Sequence, residues 1–324
     1  MPRTATFSVQ PIGRHDSQEE RLRLSPLDLV ITQQYNNYAL IFEVAKDSDK
    51  PAITETVRRA LEATLGQCHH VAGTIEKNEY GDFSIVTKPD STVPLVVQRF
   101  DAPRDQYPSF SQLERVHFCS GYLGDPALLT NQGMNMSSEA SPNTSPAVAG
   151  FQITFIPDGM ILTANIHHFA MDVTGASGLV HQLAAHCHSL GHGSSPPTWD
   201  ESLIDRCRLI PLAVPEEAMV DPQPSAPRHP DWLPCAWLLF HIPLSKVAEL
   251  KSLAMPTDES WISTYDAISA FLWRILSKNR AHIYEPDLRS PAIFGESVDM
   301  RSRCKCLALS KAIVLDNQYA VCLC

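Results

Sequence analysis

The chain has 324 residues, which at about 150 residues per domain argues for two domains. Hydrophobic residues make up 44% and charged residues 19%, a balance that excludes a disordered chain and allows a sizeable core without metals or disulfides. The formal net charge of −10 disfavours nucleic acid as a partner, because nonspecific binding to it needs a basic surface.

That charge is uneven: −11 over residues 1–240 and +1 over 241–324. An anionic ligand would be repelled less by the later part. No stretch approaches the ~20 apolar residues of a membrane span. The start, MPRTATFSVQPIGRHDSQEE, lacks the apolar region of a signal peptide. A cytoplasmic protein without membrane contact is therefore expected. Nine widely spaced cysteines, an odd number, fit free thiols in a reducing compartment.

In chain order, RLSPLDLVI (23–31) comes first. Tyr38–Val44 reads as a strand. Residues 51–66 read as a helix, with Pro51 in its first turn and Ile53, Val57, Ala60, Leu61 and Leu65 at helical spacing. HVAGTIEK and DFSIVTK read as short strands. Residues 123–147, rich in Ser, Asn, Gly and Pro, read as a loop. A hairpin follows: Phe151–Ile156 and Met160–His167, joined by Pro157-Asp158-Gly159, with Gly159 expected to supply the positive φ. A helix is predicted over Ala176–Leu190, with Gly191 as its C-terminal cap.

Residues 196–234 hold nine of the 25 prolines and read as an irregular crossover. Beyond it, Trp237–Ile242 is predicted as a strand, and 244–254 and 263–278 as helices. Ser263 or Thr264 would cap the second helix, which carries Ile268, Phe271, Leu272 and Ile275 on one face. No internal repeat is present.

The chemistry-bearing pattern is Asn165-Ile-His167-His168-Phe-Ala-Met-Asp172, at the end of the hairpin's second strand. A neutral imidazole there can accept a proton near pH 7, and a carboxylate four residues later can orient it or the backbone. On spacing alone the plainer account is favoured: two partly buried histidines, with Asp172 capping the next helix. Cys68-His69-His70 is a second histidine pair, with Thr74 rather than an acid four residues on; it reads as packing.

The wider sequence resembles the BAHD-type acyl-CoA-dependent acyltransferases, in particular their fungal branch with the trichothecene acetyltransferases. The resemblance rests on LSPLDLVI, LEATLGQCHHVAGTIEK, FQITFIPDGMILTANIHHFAMD, STYDAISAFLWR and SVDMRSR, in family order from Leu24 to about Arg303. Together these are far more specific than HxxxD alone. The resemblance implies a mixed α/β (α+β) two-domain fold of the chloramphenicol-acetyltransferase type with the second domain incomplete. It divides the chain into an N-terminal acyltransferase domain (1–195) carrying HxxxD, the crossover (196–234), a partial C-terminal domain (235–303) and a tail (304–324) unlike the family.

The resemblance also implies an enzyme that moves acetyl, or another acyl group, from acyl-CoA to a hydroxyl of a fungal secondary metabolite such as a mycotoxin. An amine is the alternative acceptor. His168 matches the family's general base. Asp172 matches its structural aspartate, with Arg301 as the ion-pair partner and Arg303 as the alternate. Acetyl-CoA or another acyl-CoA is co-substrate; no bound cofactor and no metal is implied, the CoA-binding residues are not assigned, and a monomer is expected.

Two departures from the family stand out. Val173 occupies the position after Asp172 where the family has glycine, and a β-branched residue resists φ > 0. The family's DFGWG segment is absent, and the tail CKCLALSKAIVLDNQYAVCLC, with four of the nine cysteines, fits intron read-through or a shifted frame. Two rival readings follow: a non-catalytic remnant of such an enzyme, or a condensation-type domain using carrier-bound acyl groups.

Metal readings are weak. Cys304-x-Cys306 and Cys322-x-Cys324 have too short a spacing for the usual zinc pairs. His181, His186, His188 and His192 lie along one helix, with Gly191 expected to break it between the last two. Gly175-Ala-Ser-Gly178 lacks the lysine of a phosphate loop.

Overall fold

A computed structural model describes residues 3–13, 18–29, 31, 33–135, 140–199, 241–257, 260–284, 295–299 and 319–323. Contacts divide the chain into two compact units: 1–235 with 299–319, and 236–298 with 320–324.

The first unit is built on a five-stranded sheet and a three-stranded one. Its elements are β1 (Thr4–Val9), β2 (Glu20–Arg23), the short α1 (Pro26–Leu29), β3 (Tyr35–Glu43), α2 (Lys50–Gln67), β4 (Thr74–Lys77), β5 (Phe83–Thr87), β6 (Val93–Arg99), α3 (Phe110–Arg115), β7 (Ala149–Ile156), β8 (Gly159–His167) and α4 (Val173–His192). The large sheet runs β1-β6-β7-β8-β3. Only the β6–β7 pair is parallel; the other three are antiparallel. The small sheet, β2-β5-β4, is antiparallel throughout.

Alternation sorts the large sheet into two unlike faces. Phe151, Ile153 and Phe155 of β7 lie opposite Ala164, Leu162 and Met160 of β8. They form a core with Val57, Ala60, Leu61 and Leu65 of α2 and Ala176, Leu179 and Leu183 of α4. The other face carries Gln152, Thr154, Thr163, Asn165 and His167, all buried. It is covered by the chain between β6 and β7, where Leu113 and Leu129 pack on Ile156 and Ile161. With both faces covered, every residue of β7 is buried, so polarity rather than exposure marks the second face.

Helix α2 begins at Asp49, whose carboxylate accepts from the Ala52 N–H at 3.0 Å, a standard N-cap. The hairpin turn departs from the sequence expectation. Asp158, not Gly159, adopts the left-handed conformation, at φ 56°, which a short polar side chain tolerates. Gly159 instead opens β8, where a Cβ would stand 2.9 Å from both the Phe110 Cβ and the Phe42 carbonyl oxygen. Close approach, not φ, demands glycine there.

Helix α4 also ends differently. It runs through Gly191 to His192, and the left-handed cap is Gly193 at φ 62°, its N–H bonded to the Ser189 carbonyl. A single helical glycine costs only about 1 kcal/mol, and the helix runs on to the left-handed cap at Gly193. The rings of His188 and His192 are consequently stacked, 4.1 Å between centroids.

In the second unit, α5 (Leu244–Ala254) and α6 (Thr264–Tyr284) are followed by β9 (Gly295–Asp299), which pairs with β10 (Tyr319–Leu323). The cap of α6 is reciprocal. The Ser263 hydroxyl accepts from the Asp266 N–H at 3.0 Å, and the Asp266 carboxylate accepts from the Ser263 N–H at 2.7 Å. This lowers the Asp266 pKa, first through the Ser263 hydroxyl and then through its backbone. Phe271, Leu272 and Ile275 are more than a third exposed. The proline-rich crossover from Asp200 onward, most of the Trp237–Ile242 segment, and the residues from Met300 to Gln318 lie outside the described residues. No helix among the described residues is long and apolar enough to cross a membrane.

Candidate active site

Strand β8 delivers the two histidines to its C-terminal end, and they fare differently. The His167 side chain is on the polar face and fully buried. Its Nδ1 accepts from the Phe169 N–H at 3.1 Å, so Nε2 carries the proton and donates to the Ala140 carbonyl at 2.9 Å. Edge-on contacts with Tyr35 at 5.4 Å and Phe169 at 5.3 Å hold the ring from both sides. The Tyr35 hydroxyl in turn donates to the Ala147 carbonyl at 2.7 Å. Burial, with His168 as a smaller contribution, pushes the His167 pKa down from 6.5 to about 4. A group with both nitrogens engaged and that pKa is no base for substrate.

His168 is the next residue and only half-buried. Its backbone N–H donates to the Gln34 carbonyl at 2.9 Å, anchoring the turn to the residue before β3. The Ala170 N–H closes the turn onto the His167 carbonyl at 2.9 Å.

Asp172 is fully buried and is the N-cap of α4, its Oδ1 accepting from the Gly175 N–H at 2.7 Å. It has φ −80° and ψ −175°, ordinary extended backbone. Val173 follows directly as the first residue of α4, 54% exposed. No left-handed residue is needed at that position, so the valine imposes no backbone strain. It borders a shallow hollow with Thr174, Ser177, Gly178 and His181. Arg301 and Arg303 lie outside the described residues.

Behind the histidines, a polar lock fastens β8 to the covering segment. Asn165 Oδ1 accepts from both the backbone N–H of Asn131, at 3.0 Å, and its Nδ2, at 2.9 Å. Asn37, opposite Asn165 in register, donates from Nδ2 to the Met134 carbonyl at 2.8 Å. Gly150, on the other side of Asn165, makes room: a Cβ there would lie 2.7 Å from the Met134 Sδ and 3.0 Å from the Asn131 side chain. Gly150→Ala is therefore expected to cost roughly 1–3 kcal/mol, the usual penalty of overpacking, read as a lowered urea midpoint. A midpoint equal to wild type would show that the covering segment yields freely.

The second histidine pair is not simply packing. His70 is buried, but His69 pairs through Nε2 with Glu20 of β2, an acid 49 residues away in sequence. Long-range pairing is invisible to a search of neighbouring positions. Among the described residues no three His, Cys, Asp or Glu side chains are grouped to hold a metal. Cys68 is sealed in the core, which pushes its thiol pKa strongly up, and burial raises Cys187 to about 11. Neither is a thiolate at neutral pH.

The hairpin thus presents an HxxxD turn on a mixed sheet, with its aspartate capping the following helix. Residues 34–187 match the trichothecene 3-O-acetyltransferase-like N-terminal domain. Over those residues the chain is similar to the fungal trichothecene 3-O-acetyltransferases.

Acetyltransferase FGR3 of Gibberella zeae is 42% identical over 308 residues, covering 94% of this chain and 62% of the relative. Trichothecene 3-O-acetyltransferase TRI101 of Fusarium sporotrichioides is 25% identical over 280 residues, 82% of this chain and 60% of the relative. The chain thus spans about three fifths of the length of these curated relatives. Among solved structures, F. sporotrichioides TRI101 complexed with coenzyme A and T-2 superposes with a TM-score of 0.65 at 21% identity, over 95% of this chain and 69% of that one. Vinorine synthase gives 0.66 at 18% identity, over 98% and 69%. These likenesses establish the two-domain fold type.

Proposed function

We propose that this chain carries the base-bearing part of an acyl-CoA-dependent O-acyltransferase acting on a fungal secondary metabolite. His168 takes the proton from an acceptor hydroxyl as its oxygen attacks the thioester carbonyl of acetyl-CoA. The tetrahedral oxyanion collapses, the C–S bond breaks, and the imidazolium returns the proton to the departing CoA thiolate. The transfer is direct, without a covalent enzyme intermediate.

The observation that supports this reading best is the division of labour within the pair. His167 is neutral and fully engaged, which leaves its half-buried neighbour at the strand end for proton transfer. The experiment is release of CoA thiol from acetyl-CoA with a panel of polycyclic alcohols, beginning with trichothecenes, because solved relatives are complexed with T-2 and deoxynivalenol. Acceptor-dependent thiol release with an acetylated product supports the assignment. Release that no acceptor stimulates removes acyl transfer from this chain.

Asp172 is assigned the structural role, with Arg301 as its ion partner and Arg303 as the alternate. Asp172→Asn retains an oxygen for the Gly175 cap and removes only the charge. Its stability cost is expected to shrink in an Arg301→Gln background, because partners in contact are non-additive by about 0.5–3 kcal/mol. Costs that add independently in urea melts would take Arg301 out of the role and pass it to Arg303.

A further inference from the structure

Helix α4 ends on a histidine pair that the active-site turn does not use. His188 and His192 are four residues apart, so their side chains share one face of the helix, one turn from each other. Gly191 does not separate them, because the helix continues to His192. Both residues are exposed. Their rings lie 4.1 Å apart between centroids, with planes 20° from parallel. His192 Nδ1 stands 2.9 Å from the His188 carbonyl oxygen. A carbonyl only accepts, so Nδ1 carries the proton, and in the neutral ring the Nε2 lone pair is left for another partner.

We propose that His188 and His192 chelate one divalent transition-metal ion, His192 through Nε2, with water completing the shell. Two histidines at this spacing on a helix are a recurrent metal-binding pair. Metal–imidazole bonds are about 2.0–2.1 Å long, so two rings sharing an ion stand within a few ångströms of each other, as these already do. The Nδ1 proton donated to a backbone carbonyl is the hydrogen bond that orients a metal-bound histidine. The end of α4 also carries the negative pole of the helix dipole, and the net charge of −11 over residues 1–240 draws cations. Imidazole donors choose the ion class: nickel, copper or zinc, and not magnesium or calcium, which take oxygen ligands. Among the described residues no third His, Cys, Asp or Glu is grouped with the pair, which leaves positions for water. The ion would close the turn that contains Gly191, the residue with the least restrained backbone there. The pair sits at the opposite end of α4 from the Asp172 cap, and the proposal does not depend on acyl transfer.

The test is calorimetric titration of the full chain with Ni(II), which is redox-inert toward thiols, beside His188→Gln, His192→Gln and His181→Gln. Glutamine keeps a good helix former at each exposed position. Binding elsewhere on the chain is common to all four proteins, so the difference isolates the turn. Either His188→Gln or His192→Gln should weaken one Ni(II) site by about a hundredfold, because a single imidazole replaces a chelate. His181→Gln should bind as wild type does, and Mg(II) should give no heat from this site. Hydrogen exchange read by mass spectrometry should slow with Ni(II) in the peptide spanning 188–194, in wild type and not in His192→Gln. Unchanged Ni(II) affinity in both His188→Gln and His192→Gln overturns the site. So does slower exchange in that peptide that persists in His192→Gln.

Discussion

His168→Ala is expected to cut acceptor-dependent turnover by about 10²–10⁴-fold, the usual worth of a positioned general base. The Michaelis constant for acetyl-CoA should be little changed, because the imidazole is needed for proton transfer and not to hold the thioester. The fold should be unaffected. The His168 side chain is only half-buried, and what ties the turn to the sheet is its backbone N–H, which alanine keeps. A matching thermal melt beside lost turnover is the outcome that supports the role. Retained turnover in a folded His168→Ala protein would sink it, and would leave no base on this turn, since His167 has both nitrogens committed.

The hairpin was legible because β-branched and aromatic residues crowd both strands and only two residues join them. Helix α2 was legible from apolar spacing and runs from Lys50 to Gln67; α5 matches its predicted range. Strand β6 was missed because Pro94 argues against a central strand. The structure resolves this through register: Pro94 lies opposite Ser8 of β1, and pairing with β7 starts only at Leu95. Strand β1, TATFSV, was missed because its small polar positions carry little hydrophobic signal, although the alternation is present.

The site divides in the same way. The residue types at 165–172 identified the turn, and family likeness chose between the histidines. What separates them physically is non-local. Ala140 comes from the covering loop and Tyr35 from β3, the edge strand paired with β8. Neither is within 25 positions of His167 in sequence, so no spacing rule reaches them. Asn131, which holds β8 from a segment read only as loop, was missed for the same reason.

His167 makes the second large prediction, for stability against pH. In the unfolded chain its imidazole titrates near 6.5; in the fold it titrates near 4. Below pH 6.5 the unfolded state therefore binds a proton that the native state refuses, and stability falls as pH falls. The contribution is fully present above about pH 6.5 and is lost by about pH 4, for a total of about 3 kcal/mol. His186 adds in the same direction, since burial also lowers its pKa. Asp101 does not intrude: although burial opposes it, Arg99 and Lys50 hold its pKa near 2, so its share is lost only below the usual carboxylate range. Urea midpoints for wild type and His167→Gln between pH 7 and 4.5 separate these terms. The variant should be less stable at pH 7, because its ring contacts are gone, yet its stability should fall less steeply with acid. The slope rather than the absolute stability is decisive, because packing loss shifts the whole curve and only the removed titration flattens it. Parallel curves would mean that His167 takes up its proton in the fold as readily as in the unfolded chain. Its Nδ1 could then no longer accept from Phe169, and the distinction between the two histidines would fail with it.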